Sequence, residues 1–313
     1  MHPEPLFEIF GQGVYAYGIC MAVGIIACFG FLLFTMWYKK FNETSTNAVL
    51  IIGILGTAFG IFMAMLVQSI LNYAADPSKP FVLAGMTFMG GLIGGVVSFL
   101  AVWNLYVYVV GPRTKIKWLS SKDMNAGLAD ALPFIPIGIA IAHAFGRLGC
   151  NFAGCCYGAP TDGSWGLAIA AYDPTLRIPA QLFEMSFLFL LAGVMAFLYF
   201  RFKFNYNFAV YAIAYGIWRF VLEFFRDDDR GAMIGVLQPS QFWSILMVVA
   251  GVGYFFLQFY LLKKLMKHPE LKQKTETDLP VDGTPVPAEG AEISRIVPAD
   301  HETEAQDTQN EGE

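Results

Sequence analysis

Charge is what this chain has least of. Asp, Glu, Lys and Arg make up 14% of its 313 residues, against roughly a quarter in a soluble protein. Histidine occurs four times, and residues 1–38 contain no Lys or Arg at all. So little charge excludes a water-solvated domain, and the net charge of −5 belongs to the C-terminal residues 268–313, since residues 1–267 carry 17 bases against 13 acids. No basic n-region and no A-x-A-like site precede or end the first apolar run, so a cleaved signal peptide is not expected. The run from Val14 to Tyr38 is expected to persist as a helix. Five cysteines, an odd number with Cys150, Cys155 and Cys156 in one segment, do not make a secreted disulfide framework.

What is present is apolar. Hydrophobic residues account for 56%, in runs that exceed the roughly 20 residues needed to cross a bilayer. The pattern predicts an all-α, polytopic integral membrane protein with spans near 13–38, 47–72, 81–110, 124–145, 182–200, 206–226 and 239–262. The fourth is interrupted by Asp130, Pro133, Pro136 and His143. Such breaks at membrane depth are tolerated where a helix faces protein or a wet cavity, so this helix is expected to line the interior. Thirteen Lys/Arg fall within twelve residues after spans one, three, five and seven, and six on the other side; basic loops favour the cytoplasm. The N-terminus is therefore expected outside and the C-terminus inside. Residues 268–313 hold twelve acidic against three basic residues with no apolar period, and are expected to form a disordered cytoplasmic tail. The membrane domain is expected to occupy residues 1–267.

Glycines at 53, 56 and 60, and the pairs Gly90–Gly91 and Gly94–Gly95, recur at spacings that let helices approach closely. Packing explains the first set, whereas Gly90 and Gly91 can also bare backbone to a ligand. Arginine in or near a span needs a purpose, which singles out Arg147, Arg219 and Arg226. Arg219 and Glu223, four apart on one helical face, are placed to pair. Asp227, Asp228, Asp229 and Arg230 look like a solvated helix end. The glycine-dense segment 146–161 suits a re-entrant turn carrying Arg147 into a cavity. Guanidinium donors suit a phosphate or carboxylate, and in a membrane the most available anion is a phospholipid.

At these residues the chain resembles the prolipoprotein diacylglyceryl transferases, bacterial inner-membrane enzymes. The similarity runs in order over about residues 13–262: Tyr15-Ala16-Tyr17-Gly18, A-G-M-T-F-M-G-G-L-I-G (84–94), G-R-L-G (146–149), R-I-P-A-Q-L-F-E (177–184) and Y-G-I-W-R-F-V-L-E-F-F-R (215–226). The resemblance implies transfer of the diacylglyceryl group of phosphatidylglycerol to the thiol of a prolipoprotein lipobox cysteine, with release of glycerol phosphate. It implies that Arg147 and Arg219 clamp the phosphate and Glu223 holds Arg219. It further implies substrate contacts at Tyr17, Gly90, Gly91, Asn151, Gly158, Gln181 and Glu184. No cofactor and no metal is expected.

The chain departs from the family pattern at three places. Met89 stands where the family has a histidine able to take the thiol proton. Cys150 and Cys155 replace the asparagine and glutamate of the signature loop, and Ile178 replaces a histidine. Asn151 and His143 are candidates to compensate, the latter as a base or as a histidine bonded to a backbone carbonyl. The three loop cysteines are expected to form a disulfide of Cys150 with Cys155 or Cys156, since adjacent cysteines pair only with strain; a covalent thiolate nucleophile is the alternative, and C-x-x-x-x-C-C without a histidine is a poor pattern for a soft metal. Two other functions stay open: a paralogue transferring a glyceryl or acyl group through Cys155 or Cys156, and a phospholipid- or lipoprotein-binding protein without chemistry.

Overall fold

The computed structural model describes residues 4–9, 11–78, 80–83, 85, 87–114, 120, 128–169, 173–226 and 238–267. The expected tail (268–313), Lys79 and the Asp227–Arg230 segment lie outside these residues, as does the side chain of Met89. Two short strands, β1 (Phe7–Ile9) and β2 (Gln12–Val14), pair antiparallel. This hairpin was not expected. Gly11, with φ of 76°, supplies the left-handed residue of its turn.

The rest is helical: α1 (Ala16–Tyr38), α2 (Glu43–Ala75), α3 (Phe88–Leu105), α4 (Ile135–Phe152), α5 (Ala180–Phe202), α6 (Asn207–Leu222) and α7 (Pro239–Lys267). Six of these are long and apolar enough to cross a membrane, α3 and α6 together with the helical turns that continue them to Arg113 and Phe225; α4 is not among them. The protein is thus an all-α, multi-pass membrane protein. Large apolar side chains such as Ile26, Leu190 and Val249 face outward, as they must where lipid is the solvent.

Local chemistry explains several boundaries. The Asn42 side chain accepts from the Ser45 amide at 2.8 Å and caps α2. At 33 residues, α2 is about 50 Å long at 1.5 Å per residue and outruns the hydrocarbon core. Helix α3 passes into a π turn over Tyr106–Val110 just before Gly111-Pro112. Pro112 has no N–H to give the Tyr108 carbonyl; Arg113 Nη1 reaches that oxygen at 3.4 Å and the Val109 carbonyl at 3.0 Å instead.

The fourth span differs from expectation. Its helix covers 135–152 rather than 124–145, because Pro136 occupies the first turn, where a missing N–H costs nothing. Residues 146–152 are helical, so the re-entrant turn expected over 146–161 begins only after Phe152. There Cys155 N–H donates to the Cys150 carbonyl and Gly154 N–H to the Asn151 carbonyl, both at 3.2 Å, with Gly154 at φ 68°. This is a Schellman C-cap.

Helices α2 and α3 form an antiparallel hairpin sealed by glycine. A Cβ on Gly60 would lie 3.1 Å from Gly95 Cα, and one on Gly90 3.0 Å from the Met63 carbonyl. Helix α4 packs against α1, α5 and α6. A buried apolar cluster of Leu32, Met36, Ile52, Trp103, Phe134 and Met195 joins the hairpin to the other helices. Asn207 Nδ2 donates to the Pro133 carbonyl at 2.8 Å, which ties the start of α6 to the approach to α4. The last turns of α4 and α6 and the first turn of α5 consequently meet at one end.

Candidate active site

Polar residues recur along the facing sides of α4 and α6 at helical spacing: His143, Arg147 and Asn151 on the first, Tyr211, Tyr215 and Arg219 on the second, continued by Glu223 in the 3-10 turn that follows it. A step of four residues keeps each set on one face. Gln181 and Glu184 open α5 beside them, both almost wholly buried.

Arg147 Nε lies 3.1 Å from Glu184 Oε1, and its Nη2 donates to the Tyr215 hydroxyl at 3.3 Å. Tyr215 in turn donates to Glu184 Oε1 at 2.7 Å. Three helices are thereby tied through one carboxylate. Arg219 Nη1 sits 2.7 Å from Glu223 Oε2, and Arg226 Nε 3.8 Å from the same oxygen. The sequence-expected pairing of Arg219 with Glu223 is therefore present. Such charges are stable at depth only when paired.

His143 Nδ1 is 3.0 Å from the Tyr211 hydroxyl, and its ring packs edge-on against Tyr215 at 4.7 Å. Its partner is a phenol rather than the backbone carbonyl considered from sequence. Tyr211 and Tyr215 stack at 5.8 Å. Neither tyrosine was assigned a role from sequence, although their spacing from Arg219 was the signal.

The signature loop is held by its backbone. Gly158 N–H donates to the Ile178 carbonyl and Ala159 N–H to the Phe225 carbonyl, both at 2.9 Å. A Cβ on Gly158 would come within 2.7 Å of the Phe225 oxygen, so glycine is required there by packing. Gln181 Nε2 donates to the Cys155 carbonyl at 2.6 Å. Arg177 stacks over the Tyr157 ring at 4.6 Å and pairs with Asp173 at 3.1 Å. The Thr175 side chain and amide hydrogen-bond to Asp173, and with Arg177 they hold its carboxyl down at about 2. Two buried acceptors, Asn151 Oδ1 and Gln181 Oε1, have no donor among the described residues.

All five cysteines are thiols, so the disulfide considered from sequence is not formed. The Schellman turn folds Cys155 back over Cys150, and Cys156, in left-handed backbone at φ 62°, joins them. The three sulfurs lie within 4.8 Å of one another. Hydrogen bonds from the Cys150 and Cys155 thiols push the Cys156 thiol well down, and Arg226 and Arg147 add to the shift. Tyr17 approaches from α1, its ring Cδ2 3.1 Å from where a Gly149 Cβ would stand. Gly90 and Gly91 do not join this cluster; their contacts are with α2.

The sequence pattern of the family described as prolipoprotein diacylglyceryl transferase matches residues 4–257. The chain belongs to that family. Among similar proteins, the phosphatidylglycerol–prolipoprotein diacylglyceryl transferase of Clostridium tetani is 31% identical over 258 residues, 80% of this chain and 95% of its own length. The enzyme numbered 2 from Clostridium perfringens is 30% identical, covering 86% and 98%. That of Coxiella burnetii is 30% identical, covering 80% and 93%. No solved structure matches the chain. Family membership and the buried network together make this end of the bundle the place to look for chemistry.

Proposed function

We propose that the protein moves the diacylglyceryl group of phosphatidylglycerol to the lipobox cysteine thiol of a prolipoprotein, at the outer face of a bacterial inner membrane. The observation that carries the reading is the network of Arg147, Arg219 and Arg226 around two carboxylates. Three guanidinium groups against Glu184 and Glu223 leave one net positive charge, which matches the single charge of a phosphodiester. Donors already fixed by their carboxylates need no reorganisation when the phosphate departs, which is the condition for electrostatic stabilisation of a leaving group. The free acceptors Asn151 Oδ1 and Gln181 Oε1 suit the glycerol hydroxyls of the headgroup.

In this reading Arg147 and Arg219 bind the phosphate, Glu184 and Glu223 hold them, and Tyr215 fixes the Arg147–Glu184 pair. The thiolate sulfur attacks the glyceryl carbon, the carbon–oxygen bond to phosphate breaks, and glycerol phosphate leaves with the electron pair. Tyr17 and Gly158 line the approach of lipid or peptide, whereas Gly90 and Gly91 serve the packing of α3 on α2. The basic loops support an N-terminus outside and a C-terminus inside, with residues 268–313 as a separate acidic tail.

The test uses purified protein in phosphatidylglycerol vesicles with a lipobox peptide bearing one cysteine. Equal amounts of diacylglyceryl-peptide and glycerol phosphate are expected. Absence of both, beside an active relative, would overturn the reading. The cysteine cluster favours a second reading, covalent transfer through Cys155 or Cys156; that route requires a mass adduct on the protein, which direct transfer does not form.

A further inference from the structure

We propose that Cys150, Cys155 and Cys156 form a three-thiolate site for a zinc-class soft cation whose open fourth position takes the acceptor cysteine as its thiolate. The inference rests on the transferase reading for the identity of the fourth ligand, but not for the existence of the metal site.

Geometry comes first. The three sulfurs lie within 4.8 Å of one another. Zinc–sulfur bonds of roughly 2.3 Å in a tetrahedron put sulfurs about 3.8 Å apart, so closure asks each sulfur to move by well under the length of a bond. A disulfide would instead need about 2.05 Å between two of them and would leave the third thiol over. The backbone is arranged for the cluster: the Schellman turn at Gly154 stacks Cys155 on Cys150, Cys156 holds a left-handed conformation unusual for its type, and Gln181 fastens the Cys155 carbonyl at 2.6 Å. Cys155 is exposed and the other two partly so, which leaves a side open for a ligand.

The chemistry fits the reaction. Three thiols release three protons on binding a divalent cation, leaving a net charge of −1 beside Arg147, one helical turn before Cys150. Three protein ligands with an open position are the arrangement of catalytic rather than structural zinc sites. An incoming thiol loses its proton to water on coordination, because the cation stabilises the thiolate. Its sulfur then forms the new bond to the glyceryl carbon while the carbon–oxygen bond to phosphate breaks. This supplies a thiolate in a chain where Met89 stands in place of the histidine that the resemblance implies.

Cobalt(II) titrated into the full-length, metal-stripped protein in nanodiscs reads the site directly. Expected are thiolate-to-cobalt charge-transfer bands at one equivalent, lost in the C150S/C155S/C156S variant, and intensified when a lipobox peptide is added but not its serine analogue. Stripping should lower diacylglyceryl transfer roughly thirtyfold, the factor by which a thiol of pKa near 8.5 is under-ionised at neutral pH, and zinc(II) should restore it. No bands in the wild type, or equal bands in the triple variant, overturn the metal site. Bands that the peptide leaves unchanged, or transfer that stripping leaves unchanged, overturn the open-position role. A protein that shows the bands but transfers nothing, beside an active relative, fails the transferase reading and leaves the metal site standing.

Discussion

Helices α2 and α3 and helices α4 to α6 solve the same problem in opposite ways. The α2–α3 hairpin buries glycine: Gly60, Gly90, Gly91 and Gly95 bring two backbones together, and dispersion over a close contact holds the pair. The α4–α6 end buries charge: Glu184, Arg219 and Glu223 are almost fully covered and are tied by ion pairs and tyrosine hydroxyls. Replacing buried ion pairs by packed apolar groups is often neutral or stabilising. The second region therefore holds a costly arrangement that the first shows to be unnecessary for a bundle, and function is what accounts for it.

The largest expected effect breaks the charged region. Arg147→Met should abolish glycerol phosphate release and, by leaving Glu184 buried without its cation, destabilise the protein by about 3–5 kcal/mol. Adding Glu184→Gln should recover much of the stability and none of the turnover; thermal unfolding and the peptide assay, run on both variants, separate the two contributions. A double variant that regained activity would make the pair structural.

A smaller effect tests the glycine region. Gly60→Val puts a side chain against Gly95 Cα and the Gly91 carbonyl, backbone that cannot step aside. A loss of about 1–3 kcal/mol is expected, with turnover per folded molecule unchanged. A fall in turnover of the folded fraction would show that the hairpin takes part in catalysis.

Tyr215→Phe removes one hydroxyl that donates to Glu184 and accepts from Arg147. Loss of about 1–2 kcal/mol of transition-state stabilisation, or roughly tenfold in rate, is expected, with phosphatidylglycerol affinity nearly constant. Equal losses in affinity and rate would instead place the hydroxyl in ground-state binding.

The smallest effect concerns the loop that leads into α5. Asp173 has its carboxyl lowered from 3.8 to about 2. A depressed pKa means the stabilisation is fully present above the unfolded value and is lost as pH falls through the folded one. Hydrogen exchange at the Thr175 amide, which donates to Asp173 at 2.9 Å, should accelerate between about pH 4 and pH 2 beyond its intrinsic rate. Asp173→Asn should remove that dependence.

Composition and periodicity alone determined the class of the protein, the helices and their approximate bounds, because the bilayer demands long apolar runs whatever they pack against. The pairing of Arg219 with Glu223 was legible too, since both lie on one helix four residues apart. The partners of Arg147 were not. Glu184 and Tyr215 come from two other helices, and no local rule relates positions 147, 184 and 215. The start of α4 was misplaced because a proline can break a helix or begin one, and only its surroundings decide which. The meeting of three thiols likewise needed the tertiary structure. Spacing places Cys150, Cys155 and Cys156 in one segment, but the left-handed turn at Gly154 and the bond from Gln181 decide that their sulfurs converge.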